Sequence, residues 1–182
     1  MRHRAWREKV DDRPLPGVEI VDAVSGCLML VKREVFESVG LFDEDYFFSF
    51  EDVDFCLRAR RAGFETVLAG SARAFHEGGR SIGATSPRRL YFAARNHLLL
   101  ANRSNLSNPS NPSNPSNLSN PSNPSNLSNP SNLVGHLFRI TSIAALNVAH
   151  AVTSPGGSIR TRLRAVARGM RDYFAGRYGD GP

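Results

Sequence analysis

The chain has 182 residues, of which 41% are hydrophobic, so its length and composition allow one ordinary domain with a buried core. Its net charge of +6 is concentrated near the C-terminus, because residues 134–182 carry 7 Arg and 2 Asp while residues 1–103 carry 16 basic and 15 acidic side chains. The sequence has neither the apolar segment of a signal peptide nor an apolar run of roughly 18 residues, which disfavours a secreted or membrane-spanning protein.

The two cysteines, Cys27 and Cys56, lie in apolar patterns and lack the spacing of metal ligands. We expect both to be buried free thiols in a reducing compartment, so the predicted location is the cytoplasm. The basic C-terminal segment is compatible with a peripheral position at the inner face of the membrane.

The first hundred residues have a mixed α/β pattern. The segment VDAVSGCLMLV, residues 21–31, predicts a buried strand with a Ser-Gly break. The segment REVFESVG, residues 33–40, predicts a short helix with Val35, Phe36 and Val39 on one face and a glycine at its end.

An aromatic-rich loop precedes the next predicted helix. Ser49 followed by Asp52 resembles a capping box, which predicts that a helix starts at about Phe50 and ends at Gly63. FETVLAG, residues 64–70, predicts a short strand, and residues 72–76 a second extended segment. Ser-Pro at positions 86 and 87 predicts the start of a helix that spans residues 87–102.

Residues 104–133 are ten tandem copies of Ser-Asn-Pro or Ser-Asn-Leu. Proline interrupts helices and sheets, and the repeat has too little apolar surface to offset the entropy lost on ordering. We therefore expect a disordered linker. The predicted organisation is an N-terminal extension (1–17), an α/β domain (18–103), the linker (104–133) and a basic helical tail (134–182).

The tail contains an apolar segment, residues 133–152, and a segment that alternates Arg with apolar residues at helical spacing, residues 158–179. Two interpretations are open. The helices could lie on an anionic membrane surface, or they could pack on each other or on the main domain. Nucleic acid is not an expected partner, because the tail matches no nucleic-acid-binding motif.

Three carboxylates, Glu51, Asp52 and Asp54, lie in the first turns of the helix predicted from about Phe50. The free N–H groups and the positive dipole end of a helix favour charged carboxylates there. Such a group, facing a cleft, can accept a proton from an attacking hydroxyl. The simpler interpretation is charge complementarity at a helix N-terminus, and Asp54 could instead pair with Arg58 at i+4.

His76 lies in the sequence FHEGG, where the two glycines would let the backbone approach a ligand closely. A lone histidine of this kind is more often structural than a metal ligand. The residues alone leave both interpretations open.

Residues 25–79, from SGCLMLV through FFSFEDVDFCLRARRAG to FHEGG, resemble the C-terminal, acceptor-binding half of family 2 glycosyltransferases of the GT-A fold, in particular rhamnosyltransferase-like members. The resemblance covers about residues 18–103 and extends to the sequence of the tail. It implies an α/β fold, with a partial GT-A-type domain of a few strands and helices followed by the repeat linker and the helical tail.

The resemblance implies inverting transfer of a sugar from a nucleotide-diphosphate sugar to an acceptor hydroxyl of a glycan or lipid-linked acceptor, in cell-envelope or polysaccharide synthesis. Glu51 and Asp52 correspond to the acidic catalytic pair of the family, with Asp52 as general base. Gly26, Cys27, Phe50 and Asp54 are the implied acceptor-binding residues, and His76 corresponds to a ligand of Mg²⁺ or Mn²⁺ on the leaving diphosphate.

The family pattern also contains a nucleotide-binding N-terminal half with an Asp-x-Asp motif, to which nothing in this sequence corresponds. We therefore expect activity, and a divalent metal, only together with a donor-binding half. The alternative is a non-catalytic remnant or interaction module with a basic tail that binds a membrane surface.

Overall fold

The computed structural model describes residues 17–72, 74–76, 82–83, 86–105, 130–155 and 157–181. The chain divides into two compact units between residues 78 and 79, which we call the mixed unit and the helical unit. The mixed unit contains β1 (Val18–Val21), α1 (Arg33–Val39), α2 (Glu51–Arg61) and β2 (Thr66–Ala69). The helical unit contains α3 (Pro87–Asn105), α4 (Pro130–Thr153) and α5 (Ile159–Phe174).

Strands β1 and β2 form an antiparallel pair in which Val18 lies opposite Ala69 and Val21 lies opposite Thr66. The strand predicted over residues 64–70 is therefore confirmed. Side chains alternate between the two faces of such a pair, so Val21 is buried while Ile20 and its partner Val67 are exposed. The extended segment predicted at residues 72–76 forms no strand among the residues that are described there, 72 and 74–76.

The strand predicted over residues 21–31 is wrong for most of its length. The side chain of Ser25 accepts a hydrogen bond from the backbone N–H of Cys27, and the chain turns into a short 3₁₀ helix, Gly26–Leu28. Such local side-chain bonds compete with a strand ladder. Cys27 is consequently exposed, so its predicted burial is also wrong, whereas Cys56 is a buried free thiol as expected.

Helices α1 and α2 form the core of the mixed unit, and both predicted helices are confirmed. Val35 of α1 packs with Phe55 and Ala59 of α2. The ring of Phe55 lies 5.1 Å from that of Phe36 and 4.8 Å from that of Phe42, as measured between centroids. Aromatic pairs at these distances add to the burial of apolar area. The orientation of α2 is thus fixed by large side chains on its inner face.

The helical unit is built around α3, which confirms and extends the helix predicted over residues 87–102. Leu90 and Ala94 of α3 pack with Ala151 of α4 and Val166 of α5. The two predicted tail helices therefore pack on each other and on α3. No described helix combines the length and the apolar character that crossing a bilayer requires.

The ends of the Ser-Asn-Pro/Leu repeat belong to helices rather than to a linker. Helix α3 runs to Asn105, and α4 begins at Pro130. Proline is well suited to the first turn of a helix, because its missing N–H has no intrahelical partner there. The prediction of disorder therefore fails at both ends of the repeat, and residues 106–129 lie outside the described residues.

Candidate functional site

The loop that leads into α2 has an unusual backbone conformation. Phe47, Ser49 and Phe50 have positive φ angles of 55°, 68° and 76°. Such angles are uncommon for residues other than glycine and carry a local cost that the surrounding structure must offset. Phe50, in the left-handed conformation, is the N-cap of α2, so the predicted capping box, with Ser49 as the cap, is wrong.

Asp52 lies in the first turn of α2 and contacts the 3₁₀ turn formed by residues 26–28. Its Oδ2 accepts a hydrogen bond of 2.9 Å from the backbone N–H of Gly26, and its Oδ1 accepts one of 2.8 Å from the N–H of Val53. Each carboxylate oxygen has two lone pairs, so one acceptor position remains on each oxygen beyond these two bonds. The structure thus brings together two of the predicted site residues, Gly26 and Asp52.

Glu51, the neighbour of Asp52, has a different environment. Its Oε2 atom is buried and has no hydrogen-bond partner among the described residues. Burial is the main cause that raises the pKa of the Glu51 carboxyl above its ordinary value, and the nearby charge of Asp52 raises it further. Adjacent carboxyl groups with distinct environments can take different protonation states in the same site.

Asp54 is buried and is engaged by two side chains. The Tyr46 hydroxyl donates a hydrogen bond of 3.2 Å to Oδ1, and Arg58 Nε donates one of 2.7 Å to Oδ2. This confirms the pairing with Arg58 that the i+4 spacing predicts. Burial, followed by the charge of Asp54, raises the pKa of the Tyr46 phenol well above its usual range, so the hydroxyl keeps its proton and remains a donor.

Arg58 extends this network to the segment that follows α1. Its Nη1 donates to the carbonyl of Val39 at 2.5 Å, and its Nη2 donates to the carbonyl of Leu41 at 2.9 Å. A planar guanidinium can hold several acceptors in a fixed geometry. Arg58 therefore ties α2 to the start of the loop that carries the positive φ angles.

The remaining predicted acceptor-side residues differ in exposure. Cys27 is exposed, and its Sγ accepts a hydrogen bond of 3.0 Å from the Ser25 hydroxyl. Phe50 is half-buried. In the aromatic-rich loop before α2, Tyr46 is completely buried whereas Phe47 is 50% exposed. Tyr46 therefore belongs to the core and cannot line an open pocket.

His76 is exposed, and the residues described around it form no cluster of metal ligands. Hard divalent cations require several oxygen ligands arranged around one position. Among the described residues, no group of three or more His, Cys, Asp or Glu side chains could hold a metal ion. The described part of the chain thus provides no metal site, and no chemical step in our account passes through a metal.

Two features of this site did not follow from the sequence: the hydrogen bond from Tyr46 to Asp54, and the bonds from Arg58 to the backbone carbonyls of Val39 and Leu41. Tyr46 lies in a loop without periodicity, where burial cannot be predicted from spacing. The only available signal is the i+4 relation of Asp54 and Arg58, which indicates a pair but not what else the guanidinium contacts.

Comparisons with known proteins find similarity in the segment that contains this site. Residues 17–98 match the family model described as "Glycosyltransferase like family 2". This range includes Gly26, Glu51, Asp52 and Asp54. Together with the relatives, the match supports a glycosyltransferase family 2 domain in this part of the chain.

Similar proteins include sugar transferases from three organisms. The chain is 40% identical over 72 residues to N-acetylglucosaminyl-diphospho-decaprenol L-rhamnosyltransferase of Mycobacterium tuberculosis, covering 40% of this chain and 24% of the relative. It is 32% identical over 95 residues to the low-salt glycan biosynthesis hexosyltransferase Agl10 of Haloferax volcanii, covering 48% of this chain and 30% of the relative.

A third relative, dTDP-rhamnosyl transferase RfbF of Shigella flexneri, is 31% identical over 115 residues, which cover 58% of this chain and 38% of that protein. The chain therefore matches only a minor part of the length of each of these relatives. No solved structure gives a match.

Proposed function

We propose that residues 17–98 form the acceptor-binding part of an inverting glycosyltransferase of family 2, with Asp52 as the general base. The observation that carries the proposal is the position of the Asp52 carboxylate, which lies at the first turn of α2 and is anchored to the backbone of Gly26. The activities named for the similar proteins favour rhamnose or another hexose as the transferred sugar and a lipid-diphosphate-linked sugar as one acceptor class.

In the proposed reaction, a free lone pair of Asp52 accepts the proton of an acceptor hydroxyl. The hydroxyl oxygen then forms a bond to the anomeric carbon of the donor sugar. The bond from that carbon to the diphosphate oxygen breaks, and the nucleoside diphosphate leaves with the electron pair. One displacement inverts the anomeric configuration, and Asp52 ends the step protonated.

The neighbouring side chains have supporting roles in this proposal. The hydrogen bond from Gly26 fixes the direction of the Asp52 carboxylate. Burial, followed by the charge of Asp52, raises the pKa of the Glu51 carboxyl beside the base. Asp54, Tyr46 and Arg58 hold the loop before α2 in its strained conformation, so we assign Asp54 a positioning role rather than contact with the acceptor.

The donor side of the reaction would require residues other than those described in the mixed unit. Val18, Ile20 and Val67 expose apolar side chains on one face of the two-stranded sheet, and Leu30 is fully exposed. Two-stranded sheets are marginal in isolation, and contiguous exposed apolar surface marks an interaction site. We infer that this face packs against a donor-binding region, which would also supply ligands for Mg²⁺ or Mn²⁺.

A domain exchange tests this function without requiring activity of the chain alone. In the Mycobacterium tuberculosis rhamnosyltransferase, the segment that aligns with residues 17–98 of this chain is replaced by those residues, which include Gly26 and Asp52. Transfer of labelled rhamnose to the lipid-linked N-acetylglucosamine acceptor of that enzyme is then measured, and the anomeric configuration of the product is determined by NMR. Transfer with inversion supports the proposal. A folded exchange protein without transfer, or a product with retained configuration, contradicts it.

The second candidate function is a non-catalytic module that binds an anionic membrane surface. The exposed arginines of α5 favour it. The domain exchange tests catalysis itself, because a non-catalytic remnant or module would not restore sugar transfer, whereas binding to a membrane is compatible with either result.

A further inference from the structure

The side of α4 that points away from the rest of the helical unit is apolar. Exposed side chains recur there at helical spacing, and we call them the α4 outer face: Val134, Leu137, Phe138, Val148 and Val152. Phe138 is 72% exposed and Val134 is 67% exposed. The chain leaves large apolar groups in water along the length of this helix, which is costly unless something covers them.

The opposite side of α4 is already packed in the core. Ile143, Asn147 and Ala151 are buried, and Ala151 belongs to the cluster that contains Val166 of α5. Helix α4 is therefore apolar on both its inner and its outer side. A helix of this kind is ordinarily buried all round, so the α4 outer face is itself a contact surface.

Helix α5, which packs on α4, contributes positive charge. Arg160, Arg164, Arg168 and Arg171 are exposed and recur at intervals of three or four residues, so they form one stripe along the helix. The chain from residue 130 to residue 171 contains no Asp or Glu. The described surface of these two helices thus combines exposed apolar groups with an excess of positive charge, although Arg171 pairs with Asp172 of the same helix.

The packing assigns the apolar contact to α4 rather than to α5. In sequence, α5 has the pattern of a basic amphipathic helix that could bury its own apolar side in a membrane. In the structure, Leu163, Val166 and Met170 of α5 pack in the core of the helical unit. They are not available to a membrane, whereas the α4 outer face is.

We propose that the helical unit docks on an anionic lipid bilayer, with the α4 outer face inserted at the level of the headgroups and the positive charge of the unit attracted to the lipid phosphates. Apolar insertion combined with basic side chains is the recognised chemistry of interfacial helices. The charge favours a bilayer over a second copy of the chain, because residues 134–182 carry 7 Arg and 2 Asp, so two copies of this region repel each other.

The proposal does not depend on sugar transfer, because it rests on α4 and α5 alone.

The full chain is mixed with vesicles of phosphatidylcholine, with or without about a third of phosphatidylglycerol, and bound protein is separated by flotation. We expect binding to the anionic vesicles that weakens as salt increases, and little binding to phosphatidylcholine alone.

Two groups of variants test the two parts of the surface. Leu137→Gln combined with Phe138→Gln is expected to weaken binding at least about tenfold. Arg160→Gln combined with Arg164→Gln is expected to weaken binding about fivefold for each arginine and to reduce the salt dependence. The matched controls are Leu30→Gln, a fully exposed leucine of the mixed unit, and Arg33→Gln, an exposed arginine of α1. Both controls should bind as the unchanged chain does.

Insertion itself is measured with Phe138→Trp, whose emission should shift to shorter wavelength on the anionic vesicles. Absence of flotation with anionic vesicles would overturn the proposal. So would unchanged binding of the α4 variant, or binding without an emission shift, since either would mean that the α4 outer face stays out of the bilayer. A stable dimer in solution that buries the introduced indole and does not bind vesicles would identify a second copy as the occupant instead.

Discussion

The Asp52 carboxylate accepts a hydrogen bond of 2.9 Å from the backbone N–H of Gly26, a residue 26 positions earlier in the chain. This bond connects the first turn of α2 to the short 3₁₀ helix that replaces the predicted strand. A backbone donor has fewer ways to move than a side chain. The carboxylate that we propose as the base is therefore oriented by the fold itself.

Replacing Gly26 by proline tests this orientation. Ser25, the preceding residue, has φ −72° and ψ 139°, which a following proline accepts. The substitution removes the N–H and places a ring carbon between the nitrogen and the carboxylate oxygen, too close to that oxygen, so Asp52 must turn away. We expect the domain-exchange enzyme to lose sugar transfer at least about tenfold, which corresponds to about 1.4 kcal/mol in the barrier.

Gly26→Ala is the matched control, because its added carbon would lie 3.5 Å from Asp52 Cβ, an ordinary contact, and the N–H is kept. Its transfer rate should stay close to that of the unchanged protein. Equal rates for the proline and alanine variants would show that the Gly26 bond does not orient the base.

Tyr46→Phe should destabilise the mixed unit by about 1–3 kcal/mol, because it leaves a buried oxygen of Asp54 without its donor. Urea unfolding, followed by circular dichroism, measures the free energy of unfolding. Tyr178→Phe serves as the control, since the Tyr178 hydroxyl makes a longer hydrogen bond of 3.4 Å to the Tyr173 carbonyl in the helical unit. A smaller loss for Tyr46→Phe than for the control would refute the role of the buried network.

Arg58→Lys should destabilise the mixed unit although it keeps the positive charge. Lysine cannot bond Asp54 and the carbonyls of Val39 and Leu41 in the fixed geometry of a guanidinium. We expect a loss of about 1–3 kcal/mol in the free energy of unfolding. Arg33→Lys, at an exposed position, is the control and should have little effect.

Glu51→Gln should change the pH dependence of stability. The pKa of Glu51 is raised above its ordinary value of 4.5 in the folded state, mainly by burial. Stability from this group is therefore fully present below pH 4.5 and is lost as pH rises through the folded pKa. Glutamine has no proton to lose, so the variant avoids the loss of stability that accompanies ionisation of Glu51. It should therefore melt at a higher temperature than the unchanged protein at about pH 7.5 but not at about pH 4.

Thermal melts over this pH range measure the effect, and Glu65→Gln is the control because Glu65 is exposed. A difference between Glu51→Gln and the unchanged chain that is constant with pH would contradict the assigned cause, since it would show that titration of Glu51 is not involved.

Gly169→Ala should disrupt the contact between α3 and α5. A β-carbon at this position would overlap the carbonyl oxygen of Tyr91, which is a backbone atom and cannot move independently. We expect a loss of at least about 2 kcal/mol, at the upper part of the range for overpacking. Gly135→Ala in α4 meets nothing within 4 Å and should instead stabilise its helix by up to about 1 kcal/mol. Unfolding measured by calorimetry distinguishes the two outcomes.

The sequence predicted the helices well because their apolar spacing agrees with their packing. The inner face of α1 and the acidic first turn of α2 follow from local pattern, and so does the pairing of Asp54 with Arg58. The failed strand at residues 21–31 shows the limit of this approach. There, one hydroxyl, that of Ser25, determines the backbone path by a hydrogen bond that hydrophobicity does not encode.

The candidate site was predictable in its residue types but not in its geometry. The acidic pair could be located from its position along the chain, whereas the contact of Asp52 with Gly26 depends on how two separate segments meet. The left-handed conformation of Phe50 was also unpredictable, because large aromatic residues rarely adopt it and the surrounding structure must offset its cost.

The rate of sugar transfer by the domain-exchange enzyme carrying Asp52→Asn tests the central claim most directly. Asparagine keeps the size and the hydrogen-bonding oxygen of the side chain but cannot accept the proton of the acceptor hydroxyl. If Asp52 is the general base, the rate constant for transfer should fall at least about 100-fold. The melting temperature of the Asp52→Asn protein should stay close to that of the Glu65→Gln control. Transfer at an undiminished rate by the Asp52→Asn protein would contradict the account.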